Sequence, residues 1–213
     1  MKTIYLVRHG ESEINVSETY MDDAPPPLTE LGKEQARFLA KRAKNITFDV
    51  LIASPFERTK ETAQMIAEES GHTIEYSDLF IERTLSKSLI GKSRSDPESK
   101  AYADRAWRSS QESGSEKIPG TETFEEIKAR ATKALKFLET RPEESIMLVG
   151  HGFFTRVLIG CMLYGEEMTT ETFAPFVWGL RTKNTGISVL KYDPTDTHRA
   201  WWLVAWNDHA HLG

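Results

Sequence analysis

Near the N-terminus an apolar, β-branched run, Thr3-Ile4-Tyr5-Leu6-Val7, stops at Arg8-His9-Gly10-Glu11-Ser12. A strand that ends in an imidazole and a guanidinium sits where an open α/β sheet places its chemistry, just past the carboxyl end of the strand. The histidine could act as a nucleophile, and the arginine could hold an anion beside it. Taken alone, Arg-His-Gly fits a surface turn better. A second run, Leu148-Val149-Gly150-His151-Gly152, repeats the pattern. If the two strands are parallel neighbours, both imidazoles lie at one sheet edge, and the pair points to a shared site. Gly10 and Gly152 would let backbone approach a ligand closely. A helix starting after Gly152 would aim its first N–H groups at an anion. Arg58 falls in the first turn of an expected helix, where acidic residues are favoured. It serves either a phosphate in the same cavity or the solvent. Arg8 would point away from His9 if the strand continued, and a turn after Val7 would bring both inward.

The elements that must position these residues alternate along the chain. A strand is expected at 3–7, then a helix at about 29–44 capped by Thr29. A buried-type strand follows at 49–53. Ser54-Pro55-Phe56-Glu57 reads as a capping box with proline at the first helical position, opening a helix to about Ser70 that Gly71 stops. Ile74–Tyr76 and Leu79–Glu82 read as extended, which makes Glu82 a strand-end carboxylate. The stretch 84–120 reads as an inserted cap or lid, helical around 97–107, with a mobile loop over Arg108–Ser115. Tyr102 and Trp107 are its candidate apolar anchors. Thr123 and Glu126 form another capping box, opening a helix to about Thr140. Then come a strand at 145–149, an apolar helix at 153–164, and strands at 187–192 and 200–206. This alternation predicts an α/β, three-layer sandwich with a mainly parallel sheet flanked by helices. The whole chain, 1–213, reads as one domain carrying the 84–120 insertion.

Composition narrows the classes. The 39% hydrophobic and 28% charged residues are ordinary for a soluble globular chain. With 27 basic and 32 acidic residues the formal charge is −5, so bulk charge does not suggest a nucleic-acid partner. No stretch is long enough to span a bilayer, so no membrane partner is expected. Arg8 and Glu11 interrupt the N-terminal apolar run too early for a signal peptide. A lone cysteine, Cys161, excludes an intramolecular disulfide and fits a reducing, cytoplasmic setting. Its apolar neighbours suit a buried structural thiol. His209-Ala210-His211 lacks metal-ligand partners of clear spacing and reads as a polar C-terminus. Trp178, Trp201, Trp202 and Trp206 read as core or interface. Nothing in the sequence sets an oligomeric state.

Four segments in order, Arg8–Ser12 with Asn15, Ser54–Ala63, Leu79–Glu82 and Val149–Gly152, resemble the histidine phosphatase superfamily, the phosphoglycerate-mutase-like proteins. Leu28–Ala36 and Asn184-Thr185-Gly186 are similar to that family as well. The resemblance covers nearly the whole chain. It implies a phosphoglycerate-mutase-like fold and a phosphohistidine on His9. It further implies that Arg8, Arg58, His151, Asn15 and the Gly152 N–H hold phosphoryl oxygens, and that Glu82 gives a proton to the leaving group. Phosphoryl transfer spreads negative charge over equatorial oxygens, so catalysis there is largely positioning and electrostatics. Two arginines suit those oxygens. His9 must be neutral to attack, with its other ring nitrogen held by an acceptor, and nearby cations favour that form. A protonated carboxyl at Glu82 suits a poor alkoxide leaving group, with Glu75 its nearest rival. No cofactor and no metal are expected, the arginines standing in a metal's place. The segment after Glu82 lacks the longer insertion and the Arg-Tyr-Gly stretch of the mutases, which favours hydrolysis of a small phosphorylated substrate. A mutase-type phosphotransferase and a non-catalytic phosphate-binding module are the alternatives. Arg83, Lys87, Lys92 and Arg94 offer cations to a second anionic group, or form a solvated face.

Overall fold

The computed structural model describes the backbone of residues 1–21, 26–108 and 119–213, and their side chains except those of 103–108. Its elements run β1 (Lys2–Arg8), α1 (Glu13–Val16), α2 (Glu30–Ala43), β2 (Val50–Ala53), α3 (Glu57–Ser70), β3 (Ile74–Tyr76), α4 (Pro97–Arg108), α5 (Phe124–Thr140), β4 (Ser145–Gly150), α6 (Gly152–Tyr164), α7 (Thr170–Gly179), β5 (Ile187–Tyr192) and β6 (Trp201–Asp208). The six strands form one sheet in the order β3-β2-β4-β1-β5-β6. The first four strands in that order are mutually parallel, and β5 and β6 add antiparallel. The sheet is therefore mixed and mostly parallel, with helices on both faces, as the alternation predicts. Most of the expected loop Arg108–Ser115 and the side chain of Trp107 lie outside the described residues.

Two buried clusters explain the layers. Leu6, Ile52, Ile146 and Leu148 face α5, α6 and α7 through Ile127, Leu138, Val157, Leu158 and Phe173. Val7, Leu51, Met147 and Val149 face α2 and α3 through Leu39, Ala40, Ala63 and Ile66. Successive residues of one strand thus feed opposite faces, and near-continuous apolar strands are what a sheet covered on both sides requires. Burying each such Leu, Ile or Val contributes roughly 1.5–3 kcal/mol. Cys161 belongs to the first cluster, and burial pushes its thiol up to about 11, which makes a nucleophilic role unfavourable.

Local chemistry sets most boundaries. Thr29 accepts from the Gly32 N–H, and Thr123 and Glu126 close a reciprocal box at α5. α7 opens on Thr169, whose side chain accepts from the Thr172 N–H. Two expectations fail. Ser54 is not a cap: α3 begins at Glu57 after Phe56, which has no side-chain cap bond. The Ser54 hydroxyl instead pairs with His151 Nε2 at 2.8 Å, and the Thr59 hydroxyl donates to the Ser54 carbonyl at 2.8 Å. Nor is Glu82 at a strand end. β3 stops at Tyr76, and Asp78–Phe80 forms a single 3-10 turn that Ser77 caps.

Candidate active site

The topology brings the histidine-bearing strand ends of the sequence to one edge. β1 and β4 are adjacent and parallel, with Val7 opposite Val149 and Arg8 opposite Gly150. β2 lies on the other side of β4, with Ala53 opposite Val149. His9, His151 and Ser54 are the residues that follow β1, β4 and β2, so they meet. The His9 and His151 rings lie edge to face with centroids 5.3 Å apart. Both are buried, as is Arg58, whose guanidinium sits over the Phe56 ring.

His9 Nδ1 lies 2.6 Å from the Gly10 carbonyl oxygen. A carbonyl only accepts, so Nδ1 carries the proton and Nε2 keeps the lone pair. Burial, then the cations Arg58 and Arg8, holds the His9 pKa well below its usual value. The imidazole is thus neutral, as its proposed chemistry needs. Burial, then Arg58 and His9, lowers His151 in the same way. His151 Nδ1 and Arg8 Nε are buried and have no hydrogen-bond partner among the described residues. Leaving such groups unmet costs about 1–3 kcal/mol each, which an anion's oxygens would recover.

Close packing fixes the His9 loop. A Cβ on Gly10 would lie 2.5 Å from the Gly32 carbonyl oxygen, and one on Gly32 would lie 1.8 Å from that of Glu11. The start of α2 therefore sits directly on the loop, and only glycine fits at both places. A Cβ on Gly152 would meet the Thr182 hydroxyl at 2.6 Å and Arg8 Nε at 3.2 Å. The Arg8 side chain thus lies across the start of α6, and Nη1 donates to the Thr182 carbonyl. Asn15 Oδ1 accepts from the Ser12 N–H at 3.1 Å and from Asn184 Nδ2 at 3.1 Å. Asn184 Nδ2 also donates to the His9 carbonyl at 3.0 Å.

Glu82 occupies the helix start that sequence reasoning reserves for a phosphate. Its carboxylate accepts from the N–H groups of Phe153 (3.1 Å), Phe154 (2.9 Å) and Arg83 (2.9 Å). Gly152, the first residue of α6, remains among the residues that line the cavity. Glu75 is no rival, because it pairs with Arg141 at 2.9 Å. Arg130, which the sequence did not single out, holds the Glu82 segment. Nη1 donates to the Leu79 and Ile81 carbonyls at 3.1 and 2.8 Å, the guanidinium pairs with Glu122 at 2.7 Å, and it covers the Phe154 ring.

Arg8, His9, Asn15, Arg58, Glu82 and Gly152 line one cavity of about 990 Å³, whereas His151 packs against His9 without being among the lining residues. Arg83, Lys87 and Arg94 line it too, whereas Lys92 does not. Trp178 belongs to neither core nor sheet; it is 57% exposed and faces the same cavity, while Trp201 is core. No group of three or more metal-ligating side chains occurs among the described residues. Among them, no helix is long and apolar enough to cross a membrane.

Comparison with known proteins places this geometry. The family model of the histidine phosphatase superfamily, branch 1, matches residues 4–209. Proteins named "Probable phosphoglycerate mutase GpmB" are similar over almost their full length. The one from Salmonella typhi is 31% identical across 96% of this chain and 91% of its own. The one from Enterobacter sp. (strain 638) is 30% identical across 100% and 95%. Among solved structures, the alpha-ribazole phosphatase from Shigella flexneri superposes with a TM-score of 0.77 at 22% identity, covering 97% of this chain and 96% of that one. A phosphoserine phosphatase from Entamoeba histolytica, in complex with 3-phosphoglyceric acid, gives 0.73 at 23% identity, with both chains fully covered. At such identities the structural likeness speaks for the fold.

Proposed function

This chain belongs to the histidine phosphatase superfamily, branch 1, and from that premise we propose that it is a phosphomonoesterase working through a phosphohistidine on His9. The observation that carries the reading is the His9 tautomer. Nδ1–H is committed to the Gly10 carbonyl at 2.6 Å, and buried neutral imidazole leaves Nε2 as the nucleophile.

In the proposed reaction Nε2 forms a bond to phosphorus as the bond from phosphorus to the ester oxygen breaks. Arg8, Arg58 and the orphaned His151 Nδ1 meet the equatorial oxygens, with Asn15 and the Gly152 N–H as further donors. Protonated Glu82 gives its proton to the departing alkoxide. Water then attacks the phosphohistidine, Glu82 takes the water's proton, and phosphate leaves with His9 restored to its neutral form. The Phe153 and Phe154 N–H groups hold the Glu82 carboxyl in place through this cycle.

Replacing His9 with alanine should abolish both turnover of para-nitrophenyl phosphate and the acid-labile phosphoenzyme. Retained hydrolysis in that variant would sink the reading. A second reading, phosphoryl transfer to another alcohol, is favoured by the names of the curated relatives. The names of the structural neighbours and the short segment after Glu82 support water as the acceptor. The partition of labelled phosphoryl group between water and added phosphoglycerate separates the two.

A further inference from the structure

The long helices that cover the sheet bury one face and turn the other to water. α3 and α5 follow that rule, since neither exposes a large hydrophobic side chain. α2 breaks it. Its inner face buries Ala36, Leu39, Ala40 and Ala43, yet on the opposite face Leu31 is 50% and Phe38 43% exposed. Leu31 and Phe38 are two turns apart, so they stand in one row along the helix. Glu30, Glu34, Arg37 and Lys41 share that outer face, and with Leu31 and Phe38 they line a shallow depression of about 550 Å³. None of the six lines the main cavity.

The charges on this face are sorted. Glu30 and Glu34 lie in the first half of the helix, Arg37 and Lys41 in the second. Each pair has like charges four residues apart, a spacing that weakens a helix standing alone. The helix dipole favours this order of signs, but it does not account for two large apolar side chains set among the charges. Glu30 pairs with Lys33 at 2.7 Å. Among the described residues Glu34, Arg37 and Lys41 make no ion pair, and Lys41 lies over the Phe38 ring.

A face that is acidic at one end and basic at the other is complementary to itself turned end for end. A two-fold axis that crosses α2 at the level of Gln35 and Ala36 sets this face against the same face of a second copy. Glu34 then comes level with the partner's Arg37, and Glu30 with the partner's Lys41. Leu31 and the partner's Phe38 lie on the same side and within about 3 Å of level, from a rise of about 1.5 Å per residue. The 14 residues of α2 extend about 21 Å. A contact made by that face alone stays below roughly 1,200 Å² of buried surface, the class of reversible association.

We propose that two copies of this chain associate reversibly through α2, antiparallel about a two-fold axis, with Leu31 packed on the partner's Phe38 and Glu34 paired with the partner's Arg37. The contact leaves the main cavity open in both copies.

Sedimentation equilibrium of the full chain from about 1 to about 300 µM brackets the affinity that so small a contact gives. The wild-type protein should pass from monomer to dimer across that range. Glu34→Arg and Arg37→Glu should each raise Kd by about ten-fold or more, because each sets like charges together at two symmetry-related places. Phe38→Ser should do the same by removing the apolar contact. An equimolar mixture of Glu34→Arg and Arg37→Glu should regain association, since the mixed dimer holds opposite charges at both places. The substituted positions are exposed, and unchanged circular dichroism verifies that the variants fold. A wild-type chain that stays monomeric overturns the proposal and leaves the face to a different partner. A dimer unmoved by all three substitutions puts the association on another surface and overturns it as well. Failure of the mixture to associate overturns the antiparallel pairing.

Discussion

His211 Nε2 donates to the Thr185 hydroxyl at 3.0 Å, tying the segment after β6 to the turn before β5 that holds the Arg8 and His9 backbone. The direction follows from Arg42, whose Nη1 lies 3.3 Å from His211 Nδ1. A guanidinium only donates, so Nδ1 accepts and Nε2 holds the proton. The Thr185 hydroxyl passes its own proton to the Asn184 carbonyl at 2.7 Å, and the Thr185 N–H reaches the Arg8 carbonyl at 3.0 Å. Thr185 adopts φ 60°, a strained setting for a β-branched residue. His211→Ala should lower kcat by roughly ten-fold while KM changes little, because it loosens the positioning of His9. His211→Gln should restore part of the loss. Wild-type kcat in the alanine variant would show that the tail only packs.

The buried histidines set the response to acid. His9 and His151 have folded pKa values below the unfolded value of about 6.5. Below that pH the unfolded chain binds protons that the folded chain refuses. Stability is therefore full above neutral pH and falls as pH drops through about 6.5, by up to about 1.4 kcal/mol per pH unit for each histidine. Burial and Arg42 bring His211 down to about 4, so it adds in the same sense between those values. Urea midpoints from pH 8 to 5 check this, and His9→Asn should flatten the slope. An acid-insensitive midpoint would contradict the assigned neutral imidazoles.

Glu82→Gln separates the two halves of the proposed reaction. para-Nitrophenol leaves with little need of a proton, so phosphohistidine should still form. Its hydrolysis should slow by roughly 10²–10⁴-fold without the base. Rapid mixing should then give a burst of one nitrophenol per site, followed by slow turnover. Wild-type steady-state turnover would remove Glu82 from the mechanism.

Arg130 should act only through Glu82. Arg130→Met frees the Leu79 and Ile81 carbonyls and leaves Glu122 without its partner. Turnover of an alkyl phosphate should fall by about ten-fold or more, with para-nitrophenyl phosphate affected much less, since positioning of the proton donor is what is lost. Equal losses on both esters would indicate general destabilisation.

Gly32→Ala puts a methyl group into the Glu11 carbonyl. A clash with backbone has no flexible neighbour to absorb it, so destabilisation of about 1–3 kcal/mol or more is expected. Thermal unfolding measures it, and loss of phosphoenzyme should accompany it, because the displaced loop is the one holding His9.

What the sequence made legible was local. Thr29 and Thr123 announced their helices because a cap bond spans three residues, and β1 and β4 declared themselves through apolar runs ending in His-Gly. The misses are long-range. Ser54 has the pattern of a cap, but His151, 97 residues away, takes its hydroxyl. Glu82 looks like a strand end because its apolar neighbours resemble one, and the 3-10 turn is set by packing. α7 carries Pro175 within it, which hides the helix from a pattern search. Arg130 and His211 look like surface charges until the carbonyls and hydroxyl they serve are brought near.

The pairing of β1 has a consequence for the timing of synthesis. The strand that leads to His9 is made well before its hydrogen-bonded neighbours, residues 145–150 and 187–192. The loop after it then waits for Thr185 and for His211, which bonds to Thr185. On the ribosome β1 must therefore stay unpaired until residues 145–150 have emerged, and contacts of such separation close slowly. The segment that carries His9 is made long before the groups that hold it in place.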